Sequence, residues 1–202
     1  LHLRMEFGLK MTGLAAVPYT QFTGSLANPV HLALFKMEPL TGVGILGIDP
    51  RLALTLADRL LGGRGGAVKA GRDLTEIEVA LIEGIMAIIL EEWCAQWKTV
   101  QELRPSVISH ETSGRFLQTS PRDAAVSALS LEASFGDCVG ALQLGVPCST
   151  LDPVLKKMSA GRARDDAANA TDRVVAWQPA YDHLAVPVRA AWPAPEFALR
   201  QL

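Results

Sequence analysis

Histidine, cysteine and paired carboxylates are the side chains from which most chemical sites are built, and this chain spaces them poorly for that work. His2, His31, His110 and His183 stand singly, so no two share a helix face at the i, i+4 spacing of a zinc motif. Each reads as a surface or packed imidazole. His110 and Glu111 are adjacent, a pairing that invites a general base, yet neither a nucleophile nor a second carboxylate accompanies them. Cys94, Cys138 and Cys148 are odd in number, lack C-x-x-C spacing and sit in apolar segments. That is the pattern of reduced thiols in a cytosol, not of disulfides or zinc. Ser149 and Thr150 have the types that cap a helix, with Cys148 beside them as core filler. No metal or cofactor is expected.

What remains is a glycine-rich connection between two helices. Gly62-Gly63-Arg64-Gly65-Gly66 is not a phosphate cradle, because no Lys-Ser/Thr follows and the loop ends a helix instead of opening one. Taken alone it is a helix C-cap and a flexible connection, with Arg64 on an exposed tip. Trp93 and Trp97, four residues apart with Ile89 and Leu90 behind them, read as core packing, the lesser reading being an interface anchor.

Two helices must position that loop. Asp49 can cap the first through its side chain, and Pro50 suits the first helical position because its missing N–H would be unpaired there anyway. Leu52, Leu56 and Leu60, backed by Ala53, Ala57 and Leu61, make one buried stripe. Gly62 and Gly63 end it. The second helix opens on a capping box, Thr75 with Glu78, with Leu74 and Val79 as a hydrophobic staple.

Composition bounds the rest. With 202 residues, 49% hydrophobic and 6% aromatic, the chain can bury one good-sized core plus a small appendage. A net charge of −2 leaves no electrostatic footprint for nucleic acid or an anionic membrane, so partners are expected to be proteins. The longest unbroken apolar run, Gly84 to Leu90, falls far short of the roughly 20 residues of a membrane span, and a soluble chain is expected. No secretory signal is visible, but the chain opens on Leu1 instead of Met, so that carries no weight.

Along the chain, residues 8–17 read as a strand, 19–26 as a short helix, Asn28-Pro29 as a turn and 31–36 as extended. Strand 43–48 precedes the two helices. A segment around 107–112 follows, then strands at 124–134 and 139–146 joined at Gly136-Asp137, and a helix from Thr150 to Met158 capped by Ser149 or Thr150. Interleaving without a strict βαβ period favours an α/β fold with a mixed sheet and helices on its faces. Residues 159–172 shift to Ala, Arg, Asp and Gly and read as a linker.

The ordered set Asp49-Pro50, Asp58-Arg59-Leu60-x-Gly62-Gly63-Arg64-Gly65, then Leu74-Thr75-x-Ile77-Glu78 resembles the middle domain of the flagellar motor switch FliM family. Pro18-Tyr19-x-x-Phe22, Glu38-Pro39-Leu40-x-Gly42, Ser109-x-Glu111-Thr112 and Val146-Pro147-x-Ser149-Thr150-Leu151-Asp152-Pro153 extend the likeness over residues 14–158. No single piece is specific, but the order is hard to obtain by chance. The resemblance implies a three-layer α/β/α sandwich over residues 1–158, related to the CheC and CheX phosphatases, with an internal pseudo-two-fold. Residues 173–202, including His183 to Trp192, resemble the start of the small β domain shared with FliN, here incomplete, and a piece that short is not stable unaided.

The family's function follows as an expectation: a non-enzymatic scaffold of the cytoplasmic C-ring, at the inner-membrane face of the flagellar basal body, coupling chemotaxis signals to rotor direction. Gly62, Gly63, Arg64 and Gly65 would form the FliG-docking loop, with Asp58 and Arg59 as its supporting motif. FliN, neighbouring copies in a ring and phosphorylated CheY are the other implied partners, although the N-terminal segment that captures CheY is not found. The alternative is a CheC/CheX-like phosphatase of a response regulator, or a dead relative that only binds it. Those enzymes place Glu and Asn three apart on a helix; here Glu83 is followed by Met86 and Glu91 by Cys94.

Overall fold

The apolar run His31–Glu38 forms a strand buried on both faces, which a polypeptide tolerates only when each face of the sheet is covered. The computed structural model describes residues 7–66 and 72–160. Its elements are β1 (Phe7–Pro18), α1 (Tyr19–Ser25), β2 (His31–Glu38), β3 (Gly44–Ile48), α2 (Pro50–Leu60), α3 (Glu76–Ala95), β4 (Arg104–Glu111), a 3-10 turn (Gly114–Phe116), β5 (Ala125–Phe135) and β6 (Cys138–Pro147). A last helix, α4, covers 148–160. On one face Ala33, Phe35, Met37, Leu46 and Ile48 pack against α2, α3 and α4; on the other Leu32, Leu34 and Ile45 pack against Tyr19, Phe22 and Leu26 of α1 and its following turn. This is the three-layer α/β/α arrangement.

Strand order is β1-β5-β6-β3-β2-β4, and every neighbouring pair is antiparallel. The expected mixed sheet is corrected here, and the reason is topological. The α2–α3 crossover does return the chain so that β4 runs in the same direction as β3, but β2 lies between them and pairs antiparallel with both. The β5–β6 hairpin turns through Gly136, whose φ of 56° lies in the left-handed region that glycine enters without strain.

Local signals fix the helices. Asp49 caps α2, accepting from the Arg51 N–H at 2.7 Å with Pro50 in the first turn. Leu52, Ala53, Leu56 and Ala57 are then fully buried, each leucine worth roughly 1.5–3 kcal/mol of transfer from water. Leu61, counted in that stripe from its spacing, is instead 64% exposed, because the helix has ended by Leu60 and the cap residue no longer follows the 3.6-residue period. In α3 the buried face is Ile82, Ile85, Met86, Leu90 and Cys94. Helix 148–160 begins at Cys148, so Ser149 and Thr150 lie in its first turn and not at its cap. Thr150 is buried and Cys148 half-buried. That helix also takes in residues 159 and 160, the first two of the expected linker. The rest of the linker and the 173–202 segment lie outside the described residues.

Candidate partner-docking loop

The loop after α2 is shaped by the last turn of the helix itself. Gly62 N–H donates to the Arg59 carbonyl at 3.1 Å and Gly63 N–H to the Asp58 carbonyl at 2.8 Å, the paired 5→2 and 6→1 bonds of a Schellman cap. Gly62 has φ of 92° and Gly65 φ of 68°, values at which a Cβ would clash with the backbone. Gly63 is required for a different reason: a Cβ built there would run into the Asp58 carboxylate.

Side chains complete the fold-back. Asp58 Oδ2 accepts from the Gly65 N–H at 3.0 Å, and the Arg59 guanidinium donates to the Gly63 carbonyl at 3.1 Å. Adjacent acidic and basic residues at the helix end therefore hold opposite groups of one loop. Gly65 is buried and Gly63 half-buried, whereas Gly62, Arg64 and Gly66 are exposed. The Arg64 side chain makes no hydrogen bond or ion pair among the described residues. The surface offered outward is thus Leu61, Gly62, Arg64 and Gly66. Spacing alone missed Leu61; the signal was present in the Gly-Gly that follows it, since a residue just before a left-handed cap leaves the helix stripe.

Past residues 67–71, which lie outside the described set, the capping box of α3 forms as its sequence suggests. Thr75 accepts from the Glu78 N–H at 3.4 Å while Glu78 accepts from the Thr75 N–H at 2.8 Å. Arg72 adds a two-toothed ion pair to Glu78, at 2.7 and 2.6 Å. Hydrogen bonds from Arg72 and then from Thr75 hold the Glu78 carboxyl down to about 2.

The other chemistry-bearing residues are placed as follows. His31 and His110, read singly in the sequence, are brought together by the β2–β4 ladder and stack with ring centroids 5.3 Å apart and planes 12° from parallel. His110 Nε2 pairs with Glu83 of α3, not with its neighbour Glu111. Burial first, and the facing His110 second, push His31 down to about 4, so it is neutral at ordinary pH. Its Nε2 has no partner among the described residues. No three potential metal ligands cluster among the described residues. Cys94, Cys138 and Cys148 are free thiols, and burial lifts Cys94 to about 11, far from a reactive thiolate. Trp93 and Trp97 stack edge to face, half-buried, with centroids 5.7 Å apart. Met86 and Cys94, three residues beyond Glu83 and Glu91, are buried in the core, so neither pair offers a polar dyad on an open helix face. Among the described residues no helix is long and apolar enough to cross a membrane.

Known proteins carry the same architecture. A family profile described as flagellar motor switch protein FliM matches residues 2–162. The flagellar motor switch protein FliM of Treponema pallidum is 34% identical over 157 residues, covering 78% of this chain and 46% of that protein; the chain thus spans about half the length of the curated relative. In the crystal structure of the FliG–FliM complex from H. pylori, a chain 27% identical superposes with a TM-score of 0.72, covering 76% of this chain and 85% of that one. The FliM middle domain from H. pylori, 25% identical, gives 0.69 over 77% of this chain and 84% of its own. With a family profile spanning most of its length and the middle-domain fold beneath it, this chain belongs to the FliM family of flagellar motor switch proteins.

Proposed function

We propose that this chain is a non-enzymatic scaffold of the flagellar motor switch and docks FliG through the loop that follows α2. The observation that carries the reading is the clamp: Asp58 and Arg59 hold the Gly62–Gly65 backbone in one conformation and leave Leu61 and Arg64 facing solvent. A loop ordered before its partner arrives spends less of the interaction on its own ordering. The FliM chain to which this one is similar was crystallised with FliG. Gly62, Gly63 and Gly65 set the path, Asp58 and Arg59 support it, and Arg64 supplies the charged hydrogen bond.

Within that reading the chain works in the cytoplasm at the inner-membrane face of the basal body. Side-by-side copies form a ring, FliN associates through the segment from 173 to 202, and phosphorylated CheY biases the ring. The mechanism is conformational, a shift between two arrangements of neighbouring domains that re-orients FliG. A phosphatase reading finds no support on α3, where the positions that would hold an amide carry buried Met86 and Cys94.

Calorimetry against purified FliG middle domain tests the proposal. Arg64→Glu and Leu61→Glu are the informative variants because both side chains are exposed and each leaves the clamp intact. Binding by the parent that weakens at least tenfold in both places the interface on this loop. A folded parent that does not bind FliG, or variants that bind as well as the parent, sinks it.

A further inference from the structure

On the face of the sheet opposite α2, a groove of about 860 Å³ opens between α1 and the loop from 114 to 122. We propose that it is a docking site for an extended acidic peptide segment of a partner protein, separate from the glycine loop. Arg115 and Arg122 line it, together with Thr20, Thr23, Gln118 and Ser120, and no carboxylate is among its lining residues. Both guanidiniums are exposed, and neither makes a hydrogen bond or ion pair among the described residues. In a chain of net charge −2, two unpartnered arginines in one concavity form a local positive site against an acidic background, which favours anionic side chains.

The groove is built into the fold and is not a gap between mobile loops. Tyr19 and Thr119 are joined at 3.1 Å through their hydroxyls, and the Tyr19 hydroxyl also accepts from the Thr119 N–H at 3.1 Å. Tyr19 N–H donates to the Ala124 carbonyl at 2.8 Å and Thr20 N–H to the Arg122 carbonyl at 3.2 Å. Gly114 lets the loop lie against α1, since a Cβ there would come within 2.7 Å of the Thr23 carbonyl oxygen. Leu117, beneath the loop, is buried in the α1-side core. The arginines therefore project from a framework whose ordering is already complete, the condition under which a small charged patch gives useful affinity.

Size and chemistry select the occupant. The volume lies near the upper end of the ~300–1,000 Å³ typical of ligand sites, far more than one oxyanion fills. The lining combines hydroxyls and an amide with apolar atoms of Tyr19, Leu117 and Pro121, a mixture that suits a polypeptide's main chain and mixed side chains. The arginine forks suit carboxylates, which they can hold with two bonds at once.

A display library of random twelve-residue peptides, panned on the full chain and on the Arg115→Glu/Arg122→Glu variant, tests this directly. The expected result is enrichment of Asp- and Glu-rich peptides whose binding weakens with salt, falls about tenfold or more in the variant, and shifts the amide resonances of Thr20, Thr23 and Gln118. Failure to enrich any peptide, enrichment without acidic bias, or equal binding to the variant overturns the proposal. So does inorganic phosphate that displaces the peptide and reproduces all of its resonance shifts, because the groove would then be a simple oxyanion site. FliG binding by the same variant, measured separately, is expected to be unchanged.

Discussion

Replacing Asp58 by alanine removes the carboxylate that holds Gly65 and leaves the peptide path of α2 untouched. Gly65 is buried and donates its N–H to Asp58 Oδ2 at 3.0 Å, so the substitution orphans a buried donor. A hydrogen bond to a charged group contributes roughly 1.5–3 kcal/mol; with Asp58 only half-buried, about 1–2 kcal/mol is the reasonable share. The loop can open without disrupting the core, because the Schellman bonds at Gly62 and Gly63 come from main-chain carbonyls and persist. Hydrogen exchange at Gly65 is therefore expected to speed up by about five- to thirty-fold, the equivalent of that free energy, and the free energy of global unfolding is expected to fall by no more than the same ~1–2 kcal/mol. FliG affinity is expected to drop by no more than the same factor, since opening of the loop reduces the competent population and nothing else. Asp58→Asn, whose side-chain oxygen still accepts, is expected to recover part of both effects. Unchanged exchange at Gly65 in Asp58→Ala, or collapse of the whole domain, would refute the reasoning.

The other expected outcomes are separable by simple measurements. The glycines of the loop should differ in kind: Gly62→Ala costs about 1–2 kcal/mol in denaturant unfolding, for its positive φ alone; Gly63→Ala loosens the loop by displacing the Asp58 carboxylate; and Gly66→Ala is neutral, since nothing lies within 4 Å of its Cβ position. Leu56→Ala, at a fully buried site between α2 and the sheet, should cost about 2–5 kcal/mol. His31 gives the fold a pH dependence whose sign follows from its depressed value of about 4 against an ordinary 6.5. Between those values the unfolded chain binds more protons, so stability is full above about 6.5 and falls as the pH drops towards 4, by on the order of 2–3 kcal/mol. Denaturation midpoints at several pH values check this, and His31→Gln should flatten the profile; an identical slope in that variant would count against the assignment.

Features written locally are legible in the amino-acid sequence itself. The Asp49-Pro50 start, the Thr75–Glu78 box, the Gly62 stop and the Gly136-Asp137 hairpin each involve residues within a few positions of one another, and each is present in the fold. What escaped depends on partners distant in the chain. The sheet is wholly antiparallel because β2 inserts between β3 and β4, a choice no periodicity in either strand encodes. His31 and His110 lie 79 positions apart by number and meet only through that insertion, with Glu83 arriving from a helix between them. The groove under Arg115 and Arg122 likewise needs α1, remote in sequence, as its other wall.

The loop itself shows how a motif legible as a pattern can mislead about which atoms face a partner. Four glycines in five residues suggest a bare backbone that anything may approach. In the folded chain Gly65 faces inward towards Asp58, and the Cβ side of Gly63 is filled by the same carboxylate, so two glycines are consumed by the loop's own closure. Their requirement is intramolecular, and substituting them disturbs docking only indirectly. On the proposed docking reading, contact with a partner would fall to Leu61 and Arg64, one apolar and one cationic side chain, both exposed, on either side of the Gly62-Gly63 turn. Of the two, arginine is a residue type enriched at binding hot spots, and Leu61 offers beside it apolar surface that a partner would cover. A partner surface that fits it must offer an apolar hollow next to a carboxylate or carbonyl cluster. It follows that Leu61→Ala and Arg64→Ala should each weaken FliG binding while leaving Gly65 exchange unchanged, whereas Gly63→Ala should alter both, a dissociation that separates residues touching the partner from those shaping the loop.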